Sequence, residues 1–169
     1  MQSSARWRLA AVCLALAVAA HAKTPREWKL APDGFGPLKV GMTFTQVQEL
    51  APGLVPSPPS LRASSNCDKL SLPGHPGVTL MFVGDELARI DLFRPGLRTT
   101  REVGPGDPVE LLMRSYADLV TEPRAYEENE RTLTLHSGDN AIRFETRDGR
   151  IESVYAGRWT QVQYIEGCL

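Results

Sequence analysis

The side chains best suited to chemistry are few and scattered in this chain. Histidine occurs at three positions, 21, 75 and 136. His75 stands between Gly74 and Pro76, and His136 precedes Ser137-Gly138, so no two imidazoles have the spacing that sets a metal pair on one helix face. Neither G-x-S-x-G nor S-x-x-K occurs. The sharpest catalytic arrangement is a pair of carboxylates. A two-residue turn at Asp148-Gly149 would set Glu145 opposite Glu152, where two acids could share a proton. Arg143, Arg147 and Arg150 lie beside them in sequence, and a polar face neutralised by these arginines is the stronger expectation. Glu122, Glu127, Glu128 and Glu130 lack the alternating oxygen ligands of a calcium loop. The chain is therefore expected to be no enzyme and to use neither metal nor cofactor.

Binding is better supported by composition. Tyr155, Arg158, Trp159 and Tyr164 crowd the last part of the chain, and Phe93 holds a corresponding place after an earlier hairpin. Tyr, Trp and Arg dominate the centres of protein interfaces because they bury large areas at little entropic cost. These five residues are the expected binding set, with another protein as partner. The expectation is an inhibitor, an immunity-type protein or an envelope-assembly factor. The alternative is a small molecule or glycan held in a groove between the two halves of the chain, and a carboxylate-dependent hydrolase is the weaker third reading. No basic run or aromatic–basic stripe occurs, which argues against nucleic acid.

The first 22 residues read as a signal peptide. Arg6 and Arg8 form a basic start, Leu9 to Ala20 is an apolar run, and Ala20-His21-Ala22 is a cleavage signal ahead of Lys23. The run is too short to span about 30 Å of hydrocarbon. Cleavage would leave 147 of the 169 residues and reduce 19 basic residues to 17 against 20 acidic ones, a net charge near −3. The expected location is periplasmic or secreted, with no membrane span after the leader is removed. Two cysteines then remain, Cys67 and Cys168, and an oxidising compartment favours their pairing. A bridge over a loop of about 100 residues is worth roughly 4.7 kcal/mol in the chain-entropy model.

These side chains need elements to position them. After an irregular arm over 23–38, Thr43 begins a helix with Gln46 placed to complete a capping box, and Phe44, Val47 and Leu50 or Ala51 share a face. Pro52-Gly53 ends it, and a Pro- and Ser-rich loop follows. A short strand over 67–72 leads to a hairpin over 78–93 that turns at Gly84-Asp85. Its inward residues slip phase between Leu87 and Ile90, which predicts a bulge or a strand apolar on both faces. Asp107 then caps a second helix, with Pro108 in its first position and Glu110 completing the box. A long connection over 118–131 leads to strands over 132–136, 141–147 and 151–156, and a last strand is expected over 160–166.

The second series repeats the first at a shift of 64 residues. Thr43 falls on Asp107, Val78 on Ile142, Leu80 on Phe144, Gly84-Asp85 on Asp148-Gly149, Leu87 on Ile151 and Ile90 on Val154. The helix faces agree better at 65. This predicts an α+β fold of two tandem helix-plus-antiparallel-sheet repeats, 39–98 and 99–169, sharing or abutting one sheet with the helices on one face.

Two short motifs carry a resemblance. Gly41-Met42-Thr43 with Val47, and Gly106-Asp107 with Leu111 or Leu112, are similar to the helix starts of the beta-lactamase-inhibitor-protein and BamE-like families. The resemblance covers roughly 40–156 and implies the fold more than an activity. In the inhibitor family each repeat carries its own disulfide, whereas the pair here would join the halves, and no inhibitory contact residue transfers. The ending Tyr164-Ile165-Glu166-Gly167-Cys168 also resembles that of uncharacterised exported proteins of Gram-negative bacteria, which adds a compartment only.

Overall fold

The computed structural model describes residues 27–61 and 66–168, and the leader with its Ala22–Lys23 junction lies outside them. The fold is α+β, with a seven-stranded antiparallel sheet and a small three-stranded one. The small sheet pairs β1 (Leu30–Ala31), β2 (Gly34–Phe35) and β3 (Leu38–Lys39). Helix α1 (Phe44–Leu50) follows. The large sheet starts with β4 (Cys67–Ser71), β5 (Val78–Val83) and β6 (Glu86–Leu92). After helix α2 (Val109–Ser115) come β7 (Val120–Arg124), β8 (Glu127–Ser137), β9 (Asn140–Arg147) and β10 (Arg150–Arg158). Helix α3 (Trp159–Val162) is a single turn. The strand order is β4-β5-β6-β10-β9-β8-β7, so the two series of strands meet at β6 and β10.

Alternation sorts the side chains onto two faces. One cross-strand row, Leu70, Leu80, Ile90, Ala156, Ile142 and Leu135, supplies the core face. Val47 of α1 and Leu112 of α2 pack on this side and are fully buried. Phe44 meets Phe82 edge-on at 5.3 Å and Tyr116 meets Phe144 at 5.1 Å, so both helices are anchored to the same face by aromatic pairs. Truncating a buried leucine such as Leu112 would cost roughly 2–5 kcal/mol.

The helix starts dock alike on their hairpins. Gly41 N donates to Leu87 O, Leu87 N to Met42 O and Phe44 N to Asp85 O. Gly106 N donates to Ile151 O, Ile151 N to Asp107 O and Val109 N to Gly149 O. The hairpin residues of the two sets differ by 64 and the helix residues by 65. The two sets share one bonding pattern, with the spacing from helix start to strand one residue shorter in the second.

Several expected details differ. Thr43 does cap α1, accepting from Gln46 N while its own N–H is bonded by the Gln46 side chain. Asp107 caps nothing: Pro108 is the N-cap, and the Asp107 carboxylate instead accepts from Gly104 N and pairs with Arg98. The described part of the 23–38 arm contributes strands to the small sheet, closed on itself by the turn at Asp33. The connection over 118–131 is in fact β7 and the first half of β8. The bulge expected after Leu87 is present, since Phe82 faces Leu87 and Met81 faces Arg89, leaving Ala88 unpaired.

The chain end departs most. Residues over 160–166 form α3 and a turn, with no strand, and this segment crosses the sheet face opposite α1 and α2. Helices therefore do not keep to one face. Val162 packs there on Ala141 and Tyr155, with Trp159 at the margin. Gly157 and Ala141, paired across β10 and β9, leave the low bed on which the turn rests.

Candidate binding surface on the outer face of the sheet

The face opposite α1 and α2 is polar, and its charges are paired rather than solvated. One row across it runs Thr79, Asp91, Tyr155, Arg143 and Thr134. The adjoining row runs Lys69, Met81, Arg89, Gly157 and Ala141. Arg89 and Asp91 follow each other on β6 and are 1% and 0% exposed. Arg89 Nε donates to Asp91 Oδ1 at 2.7 Å and Nη2 to Oδ2 at 3.0 Å. Its Nη1 donates at 2.8 Å to both Gln161 O and Tyr164 O of the C-terminal segment. The guanidinium also lies 4.6 Å from the Tyr155 ring centre. All this binds a buried cation to the last residues of the chain.

The second tie is covalent. Cys67 on β4 and Cys168 are bonded, with Cα atoms 5.4 Å apart. Lys69, two residues after Cys67, places Nζ 3.3 Å from Asp91 and 5.8 Å from the Phe93 ring centre. Residues 159–168 thus form a strap held at both ends, by Trp159 N donating to Asp139 O and by the disulfide.

The five residues expected to bind are divided by this arrangement. Phe93 is 41% exposed and meets Tyr155 edge-on at 6.1 Å. Tyr155 is buried, and its hydroxyl donates to Glu145 Oε2 at 2.9 Å. Burial and the neighbouring Glu145 charge push its pKa above the ordinary phenol value. Tyr164 is 40% exposed, with Ile165 beside it also open to solvent. Phe93 and Tyr164 therefore belong to one outer surface, linked through Lys69, Asp91 and Arg89. Arg158 pairs with Glu86, and Trp159 packs on His136 with ring centres 3.9 Å apart. These two line a separate groove of about 610 Å³ with Asp139, Asn140 and Gln161.

The carboxylate pair does not form as the turn suggested. A bulge between Ile151 and Ser153 moves Glu152 out of register, so Glu145 faces Ser153 and accepts from its hydroxyl at 3.1 Å. Arg124 then sits between the acids, 3.2 Å from Glu145 and 2.6 Å from Glu152. Burial of Glu152 opposes ionisation, but hydrogen bonds from Arg147 and Arg124 outweigh it and hold the pKa below the ordinary carboxylate value. Arg124 lies between the two acids, so they do not make the direct contact that sharing a proton needs. Arg124 is the neutralising residue that sequence spacing missed, because it arrives from β7.

The histidines also have structural places. His75 stacks on Trp28 at 4.3 Å and meets Phe35 edge-on. Among the described residues no group of three or more His, Cys, Asp or Glu side chains is placed to hold a metal ion. Nor is any helix among them long and apolar enough to cross a membrane. No family model, curated protein or solved structure matches this chain.

Proposed function

We propose that this is an exported, non-enzymatic binding protein that engages another protein through the outer face of its sheet. The observation that carries the reading is the exposure of Phe93, Tyr164 and Ile165 on a surface that is otherwise fixed. The buried Arg89–Asp91 pair and the disulfide leave the strap little freedom, so a partner that covers these side chains has little ordering to impose. Exposed aromatic groups on a rigid frame are what interface centres use. Export agrees with the disulfide and with the leader-like first 22 residues.

The halves are read as a duplication. The matching hydrogen bonds at the two helix starts support it, as does the meeting of the two strand series at β6 and β10. This is the arrangement the resemblance to the beta-lactamase-inhibitor-protein and BamE-like families implies. An inhibitory, immunity-type or envelope-assembly role then places a protein, not a substrate, against the sheet.

The test is capture from envelope extract by the oxidised chain without its leader, beside a Phe93→Ser, Tyr164→Ser variant. One polypeptide retained by the former and lost by the latter supports the reading. Equal retention by both removes the proposed surface. A second reading rests on the Arg158–Trp159 groove, whose volume and polar lining suit a small polar molecule or sugar. Its test is a thermal shift with mono- and disaccharides that Asn140→Ala abolishes.

A further inference from the structure

The most exposed large apolar side chain among those described is Tyr126, at 85%. It sits at the tip of the β7–β8 hairpin, where Arg124 pairs with Glu127 and only Ala125 and Tyr126 lie between. Its φ is +65°, in the left-handed region. A two-residue turn whose second central residue is left-handed calls for Gly or Asn, because an L side chain there crowds its own carbonyl. Among the described residues the other non-glycine positions with positive φ are Glu102, Asp118 and Asp148, none of them aromatic. Tyr126 therefore strains the backbone and buries nothing in return. Strain that the fold does not require points to a use for the side chain.

The tip is braced rather than loose. Arg147 Nη2 donates to Glu127 at 2.8 Å, Arg124 lies 3.7 Å from the same carboxylate, and Glu130 accepts from Asp148 N at 2.9 Å. Glu128, two residues beyond Tyr126, is exposed, and its carboxylate has no partner among the described residues. The tip also joins the outer face, since Arg124 contacts Glu145, which accepts from the Tyr155 hydroxyl, and Tyr155 meets Phe93.

We infer that Tyr126 is an interface residue: the braced tip inserts it into an apolar slot of a partner protein, with a lysine or arginine at the slot's rim to meet Glu128. This rests on the protein-binding reading above and extends its surface from Phe93 along the sheet to the β7–β8 tip. The commitment to a cationic rim follows from Glu128: Glu127 is held by Arg124 and Arg147 and Glu130 by Asp148 N and Thr146, which leaves Glu128 as the one acid of the three whose carboxylate has no partner among the described residues.

The experiment has two arms. In urea titrations, Tyr126→Asn and Tyr126→Gly are expected to raise the folding equilibrium constant, by about threefold for Asn, because each accepts the left-handed conformation more readily. In the second arm, benzoylphenylalanine at position 126 is the probe, irradiated in envelope extract beside the same probe at Val55, another exposed apolar site. A discrete adduct is expected at 126 and not at 55, weakened at least fivefold by Glu128→Lys or by 0.5 M salt, as a cationic rim requires. Tyr126→Asn should also lower capture by the unlabelled chain at least tenfold. Undiminished capture by Tyr126→Asn overturns the inference, and so does an adduct indifferent to Glu128→Lys. If Phe93→Ser, Tyr164→Ser loses the captured protein while Tyr126→Asn retains it, this inference fails and the broader reading stands. If neither variant matters, both fail.

Discussion

Arg89 and Asp91 lie fork to fork on β6 at 2.7 and 3.0 Å, out of reach of solvent, and the same guanidinium holds two carbonyls from the chain's last turn. A buried ion pair is a modest source of net stability, because desolvation offsets most of its attraction. Removing one member is a different matter. Asp91→Asn is expected to lower the unfolding free energy by roughly 3 kcal/mol, with Lys69 unable to compensate since it too loses its anion. Arg89→Met should cost about as much and should release the strap, seen as faster amide exchange over 159–168. The double variant Arg89→Met, Asp91→Leu is expected to cost less than either alone. An additive double variant would mean the pair is not coupled.

The disulfide joins cysteines that stand 101 positions apart in the chain. Cys67→Ser, Cys168→Ser is expected to destabilise the chain by several kcal/mol, up to about 4.7 in the chain-entropy model. Amide exchange should rise first over 159–168 and only later in β9 and β10. Urea midpoints with and without reductant check the size of the effect. An unchanged midpoint would mean that Arg89 and Val162 hold the strap unaided.

Gly157 tests the bed beneath the strap. Its φ is +152°, and a Cβ there would lie 2.2 Å from Ala88 O, the carbonyl of the bulged residue on β6. Gly157→Ala must part the central β6–β10 pairing or flatten the bulge, at an expected cost of about 2–3 kcal/mol. Gly138→Ala, where nothing lies within 4 Å, is the control: it carries only its own turn strain. Equal melting temperatures for the two variants would contradict the close approach.

Glu152 sets a direction for acid unfolding. Its folded pKa lies below the ordinary 4.5, because Arg147 and Arg124 stabilise the charged form more than burial opposes it. The unfolded chain therefore takes up this proton first as pH falls. The contribution is fully present above about pH 4.5 and is lost as pH drops through the folded value. Glu152→Gln should flatten the fall in urea midpoint below pH 4.5 while leaving Arg124 bound to Glu145. Parallel curves for variant and parent would remove Glu152 from the acid limb.

What sequence made legible was whatever local rules determine. The hairpins over 78–92 and 140–158 follow from alternation and from turn residues at 84–85 and 148–149, and even the bulge at Ala88 showed as a slip in phase. The strand over 132–136 was legible, but β7 and the first half of β8 escaped because both faces there are largely solvated, so Glu and Arg replace alternation with charge. Residues 160–166 alternate like a strand, yet contacts distant in sequence settle their conformation. Arg89 lies 72 residues from Gln161 and Cys67 lies 101 from Cys168. The same distance hid Arg89 and Asp91, whose burial depends on the strap that covers them. Of the expected binding residues, Phe93 and Tyr164 kept open faces, while Tyr155 was drawn under the strap.

The most direct measurement of the proposed role is amide exchange on the oxidised chain with and without the polypeptide it captures. The account predicts protection concentrated on peptides carrying Phe93 and on 159–168, with α1 and α2 unchanged. Protection confined to the helical face, or none on the outer face, would contradict it.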